Sequence, residues 1–133
     1  MKILGLNRVE LLVDAETIGP AVKRMNEVFG FDLSPPEEIP GHGLLSSVDF
    51  GAGLEFVAPL GAGSSVAPPE KVSGRGALLT VVWEIDDIAS ARRFAKEKGL
   101  TVILDFENES VKQLCLSAAE FFGYTITLME RKA

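Results

Sequence analysis

Residues 72 positions apart play matching roles along most of this sequence, and that constant offset restricts its fold more than any single motif. Arg8 and Thr80, Val13 and Ile85, Gly51 and Gly123, and Glu55 and Thr127 are each separated by 72. The segment LNRVELLVDAETIGPAVKRMNEVFGFD from Leu6 is echoed by LLTVVWEIDDIASARRFAKEKGLTV from Leu78. GAGLEFVAPL from Gly51 is echoed by GYTITLMERK from Gly123. Self-similarity on this scale predicts two copies of one supersecondary unit.

Each copy opens with a period-two apolar run. Val9, Leu11 and Val13 alternate with Arg8, Glu10 and Leu12, and Val81, Trp83 and Ile85 alternate with Thr80, Val82 and Glu84. Such alternation predicts a strand with one face on a core. An amphipathic helix follows in both copies. In the first, Ile18, Val22, Met25 and Phe29 recur at helical spacing, with Asp14 or Thr17 to cap the start and Gly30 to end it. In the second, Asp86 or Asp87 caps a helix carrying Ile88, Ala91, Phe94 and Ala95 before Gly99. Gly30 and Gly99 are only 69 apart, so the second helix is expected to be about one turn shorter. Short strands come next. Leu44 to Phe50 and Leu54 to Pro59 read as a hairpin joined by GAG. Val102 to Phe106, Val111 to Leu116 and Tyr124 to Glu130 are their counterparts, with SAAEFFG as a longer connection. SPPEEIPGHG is expected to be a loop that cannot continue a central strand, because proline removes ladder donors. Gly61 to Gly76, rich in Gly, Ser and Pro and without apolar period, reads as a linker.

The segments LNRVELLVD, VFGFDL, LEFVAPL, VVWEIDDI and FFGYTITLME, set at one offset, resemble the vicinal oxygen chelate superfamily, which contains glyoxalase I, bleomycin-resistance proteins and extradiol dioxygenases. The resemblance covers essentially the whole chain. It implies an α+β fold in which two βαβββ modules form a curved mixed sheet around a cavity. The expected organisation is one glyoxalase-like domain over residues 1–133, with modules at 4–60 and 76–131 and a linker at 61–75. Fold alone does not give the chemistry.

Metal-dependent members of that superfamily place one ligand on the first strand and one on the last strand of each module. Carried over position by position, these fall on Arg8, Glu55, Thr80 and Thr127. Only Glu55 is a plausible ligand, because a guanidinium brings positive charge and no lone pair. The expectation is therefore no metal and no other cofactor. Arg8 and Glu55 are expected to share one concave face, either as a structural ion pair or with Arg8 holding an anionic oxygen of a ligand. Glu10 falls on the same phase. Glu84 does too, but near a strand end, where a solvated face is the simpler reading. The rest of the expected ligand-binding set is mild: Leu12 and Val57 from the first copy, Thr80, Val82, Thr127 and Met129 from the second. Phe121 and Phe122, in the turn before the last strand, are read as core or dimer contacts first and as a ligand lid second. His42 reads as a surface-loop histidine and Cys115 as a small packed residue, since no histidine is placed to activate it.

Composition narrows the function classes. The chain has 133 residues, 47% of them hydrophobic, which is enough for one core of ordinary domain size. A net charge of −6 leaves no basic stripe for a phosphate backbone, so no nucleic acid is expected. No run reaches transmembrane length, no signal peptide is expected and a single cysteine forms no internal disulfide; a cytoplasmic protein is the expectation. The partners expected are a small-molecule ligand and, from the resemblance, a second copy in a homodimer. The favoured reading is a metal-free glyoxalase/bleomycin-resistance-like protein that binds a small, largely apolar ligand bearing an anionic or oxygen group. One alternative is an enzyme of lyase, isomerase/epimerase or dioxygenase type, with Glu55 or Glu10 as base and Arg8 as electrostatic stabiliser. Another is a structural or regulatory domain.

Overall fold

A computed structural model of the chain describes residues 1–66 and 77–133. In chain order the elements are β1 (Ile3–Leu12), α1 (Ala15–Phe29), β2 (Glu37–Ile39), β3 (Leu44–Asp49), β4 (Leu54–Pro59), β5 (Ala77–Ile85), α2 (Ile88–Glu97), β6 (Val102–Glu107), β7 (Val111–Leu116) and β8 (Ile126–Arg131). The chain is α+β and is built of two βαβββ modules. It divides into two compact units, Arg8–Leu79 and Met1–Asn7 with Thr80–Ala133. Residues 4–7 thus group with the second module, where the Lys2 amide donates to Asp86 Oδ1 at 2.8 Å and the Asp86 amide donates to the Lys2 carbonyl at 3.2 Å.

In the first unit the strand order is β2-β3-β4-β1, with β1 parallel to β4 and the other pairs antiparallel. The apolar stripe of α1 decides which face of the sheet it covers. Ile18 and Val22 are buried against Leu33, Leu54, Phe56 and Ala58, and Val9, Leu11 and Val13 pack on the same cluster. The period-two phase of β1 is therefore as expected, and it turns Arg8, Glu10 and Leu12 to the opposite face. The helix ends at Gly30, whose φ of 68° lets its amide close back onto the Asn26 carbonyl at 3.0 Å. The proline-rich segment expected as a loop holds a three-residue strand, β2. It lies at the edge of the sheet, where flanking prolines remove no interior ladder bond. Of the expected linker, residues 61–66 are described and the remainder lies outside the described residues. Ser65 ties this stretch to the turn after β2, its amide donating to the His42 carbonyl at 2.9 Å.

The second unit has the order β5-β8-β7-β6, with β5 parallel to β8. Its helix-side core is Ile85, Ile88, Ala91, Ala95, Leu114, Leu116 and Leu128. Asp87 caps α2, its side chain accepting from the Ala89 amide at 3.1 Å. β8 starts at Ile126 rather than at Tyr124. The preceding turn keeps Tyr124, whose amide donates to the Phe121 carbonyl at 3.1 Å.

Strand registers repeat with the sequence. Glu10 faces Glu55 across β1 and β4 as Val82 faces Thr127 across β5 and β8, and Leu12 faces Val57 as Glu84 faces Met129.

Candidate active site

The parallel pairing of β1 with β4 sets two carboxyl-bearing residues, Glu10 and Glu55, directly opposite each other on the face away from α1. Two carboxylates there would repel. Arg8, one pleat earlier on β1, supplies the compensation: its Nε donates to Glu55 Oε1 at 2.7 Å, and its Nη2 lies 4.0 Å from Glu10 Oε2. The second Glu55 oxygen accepts from Ser46 Oγ at 2.8 Å, so both of its oxygens are engaged. Arg8, Glu10 and Glu55 retain 4%, 9% and 8% of their accessible surface, which makes this a desolvated charge cluster rather than a surface pair. The Arg8 guanidinium also lies over the Phe50 ring, 5.5 Å from its centroid.

Burial dominates the titration of Glu10. Loss of solvent, reinforced by the neighbouring Glu55 carboxylate and opposed by Arg8, pushes its carboxyl up to about 8. A carboxyl in that range exchanges a proton readily near neutral pH, which an ordinary exposed glutamate does not do.

At the equivalent positions of the second module the chemistry is neutral. Thr80 Oγ1 donates to the Thr125 carbonyl at 2.9 Å and shares a 2.9 Å hydrogen bond with Thr127 Oγ1. Since the Thr80 hydroxyl has one proton, Thr127 is the donor in the shared bond. Cys115 Sγ lies 3.2 Å from Thr127 Oγ1, so the lone cysteine joins a polar pair as well as packing. Val82 and Met129 are fully buried with Val111, and Phe106 packs against them.

The remaining predicted residues divide between this face and elsewhere. Leu12 and Val57 are buried register partners on the Glu10 face of the first module's strands. Phe121 packs against the helix-side core of the second module, away from the face that carries Thr80 and Val82. Phe122, by contrast, is 98% exposed. Glu84 accepts from Asn7 Nδ2 at 3.4 Å and pairs with Arg131 Nε at 3.2 Å, as a half-solvated ion pair. His42 Nδ1 lies 2.9 Å from Ser65 Oγ in an exposed turn.

Two members of the cluster are missing from the sequence reading. Ser46 and Phe50 share the even-numbered phase of the strand LLSSVDF with Val48, the register partner of Glu55. That alternation, once the hairpin is drawn, is the signal that finds them.

Within each module, the residues at the positions that the resemblance assigns to metal ligands do not fit a divalent ion. Arg8 offers no lone pair, Glu55 has both oxygens engaged, and the two threonine hydroxyls bond each other. Among the described residues, no group of three or more His, Cys, Asp or Glu side chains is placed to hold a metal. Nor is any helix among them long and apolar enough to cross a membrane.

No family model matches the chain. An ethylmalonyl-CoA/methylmalonyl-CoA epimerase of Cereibacter sphaeroides is 30% identical over 103 residues, covering 74% of this chain and 73% of that protein. Among solved structures, methylmalonyl-CoA epimerase from Mycobacterium tuberculosis superposes with a TM-score of 0.78 at 16% identity, covering 98% and 90% of the two chains. A methylmalonyl-CoA epimerase in complex with methylmalonyl-CoA and NH4+ gives 0.80 at 14% identity, covering 99% and 97%. At these identities the structural likeness is one of fold.

Proposed function

We propose that this chain, which belongs to the ethylmalonyl-CoA/methylmalonyl-CoA epimerase family, is an epimerase that inverts the carbon between the two carbonyl groups of a 2-alkylmalonyl thioester. The vicinal oxygen chelate assignment fits this family. The reading stands ahead of the non-catalytic binding protein favoured by sequence, because the relatives reported are epimerases. The observation that carries it in this chain is the buried Glu10 carboxyl, paired in register with Glu55 and within 4.0 Å of the Arg8 guanidinium.

Glu10 is the better base of the two glutamates. Both Glu55 oxygens already accept hydrogen bonds, from Arg8 and from Ser46, whereas Glu10 is tuned to a range where it can take a proton and give it back. In the proposed step the ionised Glu10 carboxylate removes the proton from C2. The electron pair of that C–H bond moves into an enolate whose oxygen is stabilised by the Arg8 cation. A water on the opposite face returns a proton to C2, and the hydroxide formed is neutralised by the proton held on Glu10. The thioester is taken to be of coenzyme A, as in the relatives' names.

The test is an exchange experiment. Methylmalonyl-CoA of one C2 configuration, incubated with the protein in deuterium oxide, should gain deuterium at C2 and appear as both epimers by proton NMR. Binding of the thioester with no exchange at any pH between 6 and 9, a span around the titration of Glu10 at about 8, returns the reading to a binding protein. The proposal also includes a homodimer in the cytoplasm, with light scattering of the purified protein as the check on assembly.

A further inference from the structure

We infer that Arg8 is the resident cation of this site and that the chain carries out its chemistry without a divalent metal ion. The inference rests on the epimerase reading for the reaction, while metal content is measured apart from it.

Two features point to it. Arg8 sits at a position that the resemblance assigns to a metal ligand, yet a guanidinium has no lone pair to donate. It is locked there by the 2.7 Å bond to Glu55 and by the Phe50 ring beneath it. Second, both oxygens of the one carboxylate left at those positions already accept hydrogen bonds, Oε1 from Arg8 and Oε2 from Ser46. Coordination by Glu55 would require giving up these bonds and placing a divalent ion beside a buried guanidinium. Charge balance gives the same answer: Glu55 is matched by Arg8, so the pair carries no net charge to attract a second cation. The positive charge that an enolate needs is already present as Arg8, which acts as a hydrogen-bond donor and not as a Lewis acid.

The test combines elemental analysis, thermal unfolding with added cobalt, zinc or manganese, and the methylmalonyl-CoA exchange assay before and after dialysis against EDTA. The expected results are substoichiometric metal, no rise in melting temperature with any of the three ions, and an exchange rate indifferent to EDTA. Arg8→Gln should lower the exchange rate by about 10²–10³-fold, the size of losing one such stabilising donor, with no recovery on adding metal. Arg8→Lys should retain part of it. Because Arg8→Gln leaves Glu55 unpaired, the double variant Arg8→Gln/Glu55→Gln serves as the stable form and should be as slow. One metal ion per chain, or a rate abolished by EDTA and restored by an ion, overturns the inference. Should no exchange occur under any condition, the epimerase reading fails. Metal content and the melting-temperature response then still decide the metal question.

Discussion

The first module holds an ion pair where the second holds two hydroxyls, at positions the repeat makes equivalent. Arg8 bonds Glu55 across a sequence separation of 47, and Thr80 bonds Thr127 across the same separation. The aromatics diverge in parallel. Phe50 lies under the Arg8 guanidinium, while Phe122, 72 residues later, stands 98% exposed. The scaffold fixes where two side chains meet and is indifferent to which two they are. Charge then separates the modules. A desolvated guanidinium and two carboxyls form a buried charge cluster, whereas a hydroxyl pair in the same place joins strands and asks little of its surroundings.

The sharpest way to break this contrast is to remove the proton carrier. Glu10→Gln keeps the shape of the side chain, and exchange at C2 should fall by about 10²–10⁴-fold with the fold intact. Retention of the rate would move catalysis away from the first module. Next in size is the ion pair. Arg8→Met should destabilise by roughly 3–5 kcal/mol in urea unfolding, because it strands a buried carboxylate, and adding Glu55→Gln should restore most of that. A loss that Glu55→Gln does not repair would mean that Arg8 packs rather than neutralises.

The acid range offers a third probe. The Glu10 carboxyl titrates at about 8 in the fold against an ordinary value of 4.5, so the native state binds more protons between those limits. Stability should therefore be greatest below that window, decline as pH rises through it and level off above about 8. The limiting slope is about 1.4 kcal/mol per pH unit for one proton. Glu10→Gln should flatten the profile, and Thr80→Val in the neutral module should leave it unchanged. At the hydroxyl pair itself, Thr127→Val should cost about 1 kcal/mol, while Thr80→Val with Thr127→Val should cost less than the sum of the two single changes. Smallest of all, Phe122 is held at φ 58°, a region that suits glycine, and its ring buries almost nothing. Phe122→Gly should raise stability by up to ~1 kcal/mol. A loss instead would show that the exposed ring has a contact in solution.

Much of this is legible in the sequence. The offset of 72 predicted two copies of one unit, each opening with a strand and then a helix, because strand alternation and helix spacing are local properties of the chain. The phase of Val9, Leu11 and Val13 sufficed to turn Arg8 and Glu10 to the other face. Phe121 and Phe122 could be paired by sequence but not oriented, since the turn's hydrogen bonds decide that one goes to the core and the other to solvent. The edge strand β2 was hidden by its prolines, and its existence depends on β3 lying beside it. Ser46 escaped because a serine in a strand carries no signal until its cross-strand neighbours are known.

Sequence by itself determined the repeat, the α+β class and the identity of the charges, since each of these is written in residue order and side-chain chemistry. Tertiary structure alone decided that Glu10 stands opposite Glu55, that Ser46 closes the second oxygen of that carboxylate, and that Phe50 lies against Arg8. The physical reason is burial. A carboxyl's readiness to hold a proton depends on the water and charges removed from around it, and for Glu10 those are set by strands that meet only in the fold.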